Sequence, residues 1–367
     1  MSWRRFASDD WNAVEAVWAK LAGATPGRTC FVGPAWVGAW LATFGPVLAP
    51  EVVLFESGDE PTGAALLVSR TVRRGLLPLR QIHLHTSGED AGDGVAVEYV
   101  SLVCEPKHAD EVHAALGALL AGRSWDELVL KGVTEETLSR FTRLFPGFEV
   151  ETEWRPTYTV DLARLRSEGR TYEETLSHNT RAQLRQSRNR YAERGPLALH
   201  FAASTGEALA WLAELGALHQ ARWSARGEVG AFASTRWRAF HDRLVSAAFP
   251  AGGVQLARMC AGDHLIGLLY NLVENGRVAF YQSGFRYEDD NRLKPGLVTH
   301  ALVVQACLER RHDVYDFLAG GPDGERYKKS LATDTSLLAW CVVRRPTLRN
   351  RIASALRGVK HRLRATP

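Results

Sequence analysis

Between Val52 and Ser69 two apolar runs flank the polar stretch Glu56-Ser-Gly-Asp-Glu-Pro-Thr-Gly63, and between Val254 and Val273 two more flank Cys260-Ala-Gly-Asp-His-Leu-Ile-Gly267. A Gly-Asp pair between apolar runs (Gly58-Asp59, Gly262-Asp263) predicts a β-hairpin. In both copies a glycine follows the Asp by four residues. Each hairpin leads to a further strand (Gln81–His85, Arg277–Gln282), a helical stretch (Ala109–Leu120, Leu297–Arg310) and a closing strand (Trp125–Lys131, His312–Leu318). Hairpin, strand, helix, strand, written twice, predicts a duplicated α/β module. The join falls near Tyr158–Arg170. The expected domains are 1–160, 161–343 and a C-terminal helix over 344–367.

At 367 residues the chain has room for about two domains. Its 46% hydrophobic and 23% charged residues are those of a globular protein that needs no disulfide or metal staple. No apolar run reaches the ~18 residues that span a bilayer, and the first residues lack a signal-peptide apolar segment. The five cysteines are scattered, without a CxxC pair, which points to reduced thiols, a cytoplasmic location and no zinc site. Eight of the 45 Lys and Arg lie in 344–367 with no acid among them; the first 343 residues carry 37 basic and 41 acidic groups. The positive excess is therefore a local device and not a DNA-binding surface. Leu348, Ile352, Leu356, Val359 and Leu363 form one helical stripe ringed by Arg and Lys. Such a helix fits an anionic membrane surface; packing on its own domain and RNA binding are the alternatives.

The stretch Ser177–Tyr191 reads as a helix capped by Ser177 or Asn179 and ended by Gly195-Pro196. Arg181, Arg185 and Arg188 recur at i, i+4 and i+7, either a solvated face or an anion-facing stripe. Further on, a strand over Val278–Phe285 runs into a polar loop, and Arg292-Leu-Lys-Pro-Gly296 opens a helix. Free N–H groups at that helix start, with Arg292 and Lys294, make a candidate pyrophosphate cradle. Asp316 interrupts an apolar strand: it faces a closed site as a base or lies on a wet face. His83 and His85 alternate on one strand face, yet no third ligand accompanies them, so no metal is expected. No Gly-x-Ser-x-Gly elbow marks a hydrolase.

The run Arg222-Trp-Ser-Ala-Arg-Gly-Glu-Val-Gly-Ala-Phe232, with Phe280-Tyr-Gln-Ser-Gly-Phe285, Leu293-Lys-Pro-Gly296, Tyr315-Asp-Phe317 and Tyr327-Lys328, resembles the GNAT-like acyltransferases of the CelD/BioF2-like type, relatives of the FemAB transferases. The resemblance covers Leu176 to Trp340 well and the first half loosely, through Gly88–Tyr99. It implies an α/β (α+β) fold of tandem GNAT-like domains, each a mixed, mostly antiparallel sheet flanked by helices. It also implies acyl transfer from acyl-CoA to an amine, with no metal. Strand Val278–Phe285 would splay to hold pantetheine, with Gln282 and Ser283 where donor and acceptor meet, and Arg292, Leu293, Lys294, Pro295 and Gly296 would hold the pyrophosphate. That loop departs from the usual Gln/Arg-x-x-Gly-x-Gly/Ala pattern, which puts the CoA donor in doubt, because FemAB relatives use aminoacyl-tRNA; the acidic body weighs against tRNA.

Asp316 and His219 are the candidate bases. Tyr327, after the mobile-looking Gly320–Gly324 loop, would protonate the leaving thiolate, and Lys328 would bind phosphate or orient substrate. Glu98, Tyr99, Arg181, Arg185, Arg222 and Trp223 are candidate acceptor contacts. Known roles in the family include ceramide synthesis on sphingoid bases and acylation steps in exopolysaccharide production. The basic tail favours a lipid amine at the inner membrane over an amino sugar. A scaffold without catalysis is the non-enzyme alternative.

Overall fold

The computed structural model describes residues 1–320 and 322–354. The chain forms two compact units, Met1–Arg155 with the segment from Leu337 on, and Pro156–Ser336. In order the elements are β1 (Ser2–Ala7), α1 (Trp11–Ala24), α2 (Pro34–Leu48), β2 (Glu51–Ser57), β3 (Glu60–Arg74), β4 (Leu77–Leu84), β5 (Val103–Cys104), α3 (Ala109–Ala121), β6 (Glu127–Val133), α4 (Glu135–Arg143) and β7 (Glu149–Asp161). There follow α5 (Leu162–Ser167), α6 (His178–Ala192), β8 (Leu197–Phe201), α7 (Thr205–Ala225), α8 (Thr235–Ala248), β9 (Val254–Ala261), β10 (His264–Glu274), β11 (Arg277–Phe285), α9 (Pro295–Glu309), β12 (Val314–Ala319), α10 (Pro322–Leu331) and β13 (Asp334–Arg344).

Within the first unit the strands run β1-β2-β3-β4-β6-β13, with β5 on β3; within the second they run β7-β12-β11-β10-β9-β8. One pair in each is parallel, β4 with β6 and β11 with β12. The hairpins turn at Gly58-Asp59 and Gly262-Asp263, and both carry a β-bulge just before the glycine that follows the Asp by four. Those glycines are needed for close approach. A methyl on Gly63 would sit 2.6 Å from Val112 of α3, and one on Gly267 would sit 2.5 Å from the Phe285 ring.

Contiguous domains over 1–160 and 161–343 are not what the compact units show. The reason is β13, whose Ala339–Arg344 pairs with β6 in the first unit. Arg344, assigned by its charge to an exposed tail, is only 3% exposed and bridges Glu127 (3.2 Å), Glu149 (2.8 Å) and Glu151. Residues 348–354 are helical, and Leu348 and Ile352 are exposed, as an outward apolar stripe requires. Leu356, Val359 and Leu363 lie outside the described residues. Among the described residues no helix is long and apolar enough to cross a membrane.

The second unit's helices start where side chains satisfy their first N–H groups. Ser177 accepts from Thr180 N–H for α6, Ser204 from Glu207 N–H for α7 and Ser234 from Trp237 N–H for α8. Its core gathers Leu269, Val278, Val298, Val304 and Tyr315, each at most 1% exposed, and burial stabilises each by ~2 kcal/mol. Helix α7 lies directly on β11 at Gly284, where an added methyl would come within 2.5 Å of the Leu215 carbonyl oxygen. Gly284→Ala is therefore expected to lower the unfolding free energy by about 1–3 kcal/mol. Gly23→Ala on α1, where a methyl meets nothing within 4 Å, is expected to raise it by ~0.5 kcal/mol. Urea unfolding of the two variants checks both signs.

Candidate active site

Strands β11 and β12 pair in parallel for three rungs only, Arg277↔Val314, Val278↔Tyr315 and Ala279↔Asp316. Both then continue, to Phe285 and Ala319, and a wedge opens between them. Three groups fix the parting. Asp316, fully buried, accepts from Arg277 Nη1 (2.6 Å), Thr157 Oγ1 (3.2 Å) and the Leu318 N–H (2.8 Å). Leu318 sits at φ +59°, in the left-handed region, so β12 bends away just past the last rung. Lys328 Nζ donates to the Leu318 and Ala319 carbonyls at 3.0 and 3.1 Å. Asp316 and Lys328 thus hold the strand end. The expectation of Asp316 on a wet face is overturned by its burial, and its carboxylate is engaged by three donors, which leaves the base role without support from geometry.

On the other side of the wedge, β11 pairs with β10 through Tyr270↔Gln282 and Asn271↔Phe280, so Tyr281 is a bulged residue. The Ser283 N–H donates to its neighbour's Gln282 Oε1 (3.1 Å), a weak local contact that an extended ligand could replace. Gln282 and Ser283 are both half-buried along the parted strand.

Helix α9 closes one face of the wedge with a residue that the sequence reading did not single out, His300. It is fully buried among Phe280 (ring centroids 4.5 Å apart), Phe317 (5.3 Å) and Tyr327 (5.7 Å), and its Nδ1 pairs with Tyr315 Oη at 3.2 Å. Its Nε2 and the Tyr327 hydroxyl are buried without a hydrogen-bond partner in the described residues. The available signal was a single histidine in an otherwise apolar helical run after Gly296. Burial, then the Lys328 charge, pull His300 down to about 3, while burial holds the Tyr327 phenol well above its ordinary value, so it stays protonated. Tyr327 lies on α10; from Pro322 the expected mobile loop is helix.

The α9 start is more enclosed than a bare phosphate cradle. Arg292 folds back on Asp290 (2.8 Å), which Arg190 of α6 also holds, and those donors press the Asp290 carboxyl far down. Buried Ser187 of α6 accepts from the Lys294 N–H at 2.8 Å. Leu293 and Pro295 are buried, the Lys294 side chain is exposed, and Gly296 faces Tyr327: a methyl on it would lie 3.0 Å from the phenol oxygen. The structure therefore brings together Gln282, Ser283, Lys294, Gly296, Tyr327 and His300, with Asp316 and Lys328 as supports.

Other expected residues lie elsewhere in the second unit. His219 of α7 is 7% exposed, packed against Trp223 and Phe232, and burial pulls it down to about 4, too low to accept a proton from an ammonium. Arg222 stacks over Tyr287 (4.3 Å). Arg181 donates to the Leu176 carbonyl (2.7 Å) and Arg188 pairs with Glu173 (2.6 Å), while Arg185 is exposed, so the stripe is largely engaged by its own unit. Glu98 and Tyr99 belong to the first unit; Glu98 is buried and Tyr99, at φ +55°, donates its N–H to the Gly132 carbonyl. His83 and His85 do not share a strand face: β4 ends at Leu84, and His85 sits at φ +59°. Among the described residues no group of His, Cys, Asp and Glu could hold a metal ion.

Residues 178–329 match the family described as the acetyltransferase (GNAT) domain, so the second unit from α6 into α10 is a GNAT-type acetyltransferase domain. Both units repeat that plan, which makes the fold a tandem of GNAT-like α/β modules. Among solved structures the chain is similar to FemX, at 12% identity and TM-score 0.58 over 97% of this chain and 99% of that one. It is also similar to the C-terminal domain of a putative lysylphosphatidylglycerol synthetase from Agrobacterium fabrum (11%, 0.54, 94% and 96%) and to L-PGS from Bacillus licheniformis (10%, 0.53, 95% of each). At these identities the likeness is one of fold. Among curated proteins none matches.

Because His219 and His300 stay neutral when folded but charge near 6.5 when unfolded, the unfolded chain binds more protons below that pH. Stability is expected to fall as pH drops from about 6.5 toward 4, by roughly 1.4 kcal/mol per pH unit for each histidine. Urea unfolding from pH 7 to 4.5 should show a shallower decline in His300→Phe than in the parent.

Proposed function

We propose that the chain is an N-acyltransferase of the CelD/BioF2-like type that moves an acyl group from acyl-CoA to a primary amine. The observation that carries this reading is the wedge: two parallel strands that part after three rungs, with a buried, partnerless phenol and a helix start beside them. Parted strands leave backbone groups for an extended, amide-bearing donor arm such as pantetheine. Gly296 leaves room for that arm beside Tyr327, and Lys294, exposed at the helix start, supplies a cation for its phosphates. Residues Gln282, Ser283 and Gly296 would hold the thioester. When bound, that donor supplies an activated carbonyl and a thiolate leaving group. Tyr327, kept protonated by burial, gives the sulfur its proton as the C–S bond breaks.

The acceptor we favour is an amphiphile at a membrane surface, a sphingoid base being the type that the basic, apolar-striped tail suits. An amino sugar is the next choice. A donor of aminoacyl-tRNA type is supported by the shared fold with FemX alone.

Calorimetric titration with acetyl-CoA and palmitoyl-CoA tests the donor. One of them should bind, and Gly296→Val and Lys294→Ala should each weaken it at least ~10-fold. Tyr327→Phe should leave binding within about twofold and lower kcat by roughly 10²-fold, the usual scale of a lost general acid. Binding of neither thioester would end the CoA reading and make aminoacyl-tRNA the donor to try.

A further inference from the structure

A slot of about 300 Å³ runs between α7 and α8. Its α7 wall comes from Leu212, Ala213, Gly216, Ala217 and Gln220. They recur at i, i+1, i+4, i+5 and i+8, one helix face over roughly 12 Å. Alanine and glycine keep that wall low, and Gly216 lets the Phe232 ring come close enough that a methyl there would meet it at 2.5 Å. The opposite wall includes Trp237 and His241, and both rings stand against Tyr281, the bulged residue of β11.

One end of the slot is polar in a specific way. Gln220 Oε1 and the adjacent His219 Nδ1 are buried and have no hydrogen-bond partner, and the His219 side chain belongs to a residue 7% exposed. The two atoms converge: a methyl on Gly230 would lie 2.8 Å from the first and 3.1 Å from the second. Buried polar atoms without partners cost ~1–3 kcal/mol each, so such a pair is a place where a ligand gains. Arg238, also on the slot, is committed to the Phe232 carbonyl and Thr235 Oγ1. The α7 turn that precedes the pair, Leu215–Leu218, packs on Gly284 beside Ser283.

We propose that this slot binds the acceptor, and that its acceptor pair selects a primary amine attached to an apolar body. A primary amine has two N–H donors. Gln220 Oε1 takes one and His219 Nδ1, in the Nε2–H tautomer, takes the other, which leaves the nitrogen lone pair free to attack. A secondary amine has one N–H and leaves one acceptor unpaired. The volume admits an amine and about ten non-hydrogen atoms, at ~30 Å³ for each water-sized group. The walls of Leu212, Phe232 and Trp237 offer nothing to the hydroxyls of a sugar, so the slot favours an alkyl or aryl amine. This inference rests on the transferase reading for its chemistry. The free-base nitrogen forms the C–N bond and gives up one proton to water, the C–S bond breaks, and the thiolate takes the Tyr327 proton, which solvent restores.

Calorimetry with n-octylamine, N-methyloctylamine and 1-octanol on the full chain tests it, alongside acetyl-CoA and palmitoyl-CoA. Octylamine should bind at least ~10-fold more tightly than either analogue. Gln220→Leu should erase that preference. Ala217→Trp, which fills the slot from an exposed position, should weaken octylamine at least ~10-fold while thioester binding persists, which also shows that the variant is folded. Equal octylamine affinity in the parent and Ala217→Trp overturns the proposal. So does thioester binding with no amine binding, and that result spares the transferase reading. Amine binding with the expected variant pattern but no thioester binding keeps the slot and removes the CoA donor.

Discussion

The second unit is organised by an interrupted hydrogen-bond ladder. A parallel pair gains stability from each rung, so two strands that part after three must have something else to hold them apart. Asp316 supplies it. Its carboxylate takes the guanidinium of Arg277 on the neighbouring strand, the Thr157 hydroxyl and the N–H of left-handed Leu318, while Lys328 takes the carbonyls of the departing segment. A charge fully inside the protein is tolerable only with such a full set of donors. The rest of the site follows from the opening: His300 fills its base, Tyr327 stands over it, and Gly296 leaves space at its mouth.

The first unit starts from the same three-rung parallel pair, Gln81↔Glu127 to His83↔Val129. What comes next differs. The segment after Leu84 turns at left-handed His85 and folds inward, burying Val95, Val97, Val100 and Leu102 together with Glu89 and Glu98. Gly132 admits it: a methyl there would sit 2.8 Å from the Glu98 Cα. One plan thus ends in an open wedge in one copy and in an internally packed segment in the other.

Much of this was legible in the chain. The Gly-Asp turns, the glycines four residues on and the strand–helix–strand order placed both modules, because hairpin chemistry and apolar periodicity are local properties. The parting strand, Gln282, Ser283, Gly296 and Tyr327 were also within reach. Asp316 read as a chemical group because a lone acid in an apolar strand has two explanations, and only its partners from β7 and β11 decide between them. His300 was hidden by the helix around it, since its neighbours come from three other elements. Arg344 belonged by composition to the tail, yet it is spent on three glutamates of the first unit.

The placement of β13 bears on how the chain is made. A protein emerging from the ribosome folds its early domains first, and most can finish as soon as their last residue is out. Here the first unit lacks a strand until Arg344 has been synthesised. Until then β6, with Leu128 and Leu130 that end fully buried, is an apolar edge open to pairing with any passing strand. The GNAT-type domain in between is complete earlier, so the half that comes second in the sequence is the half that can close first.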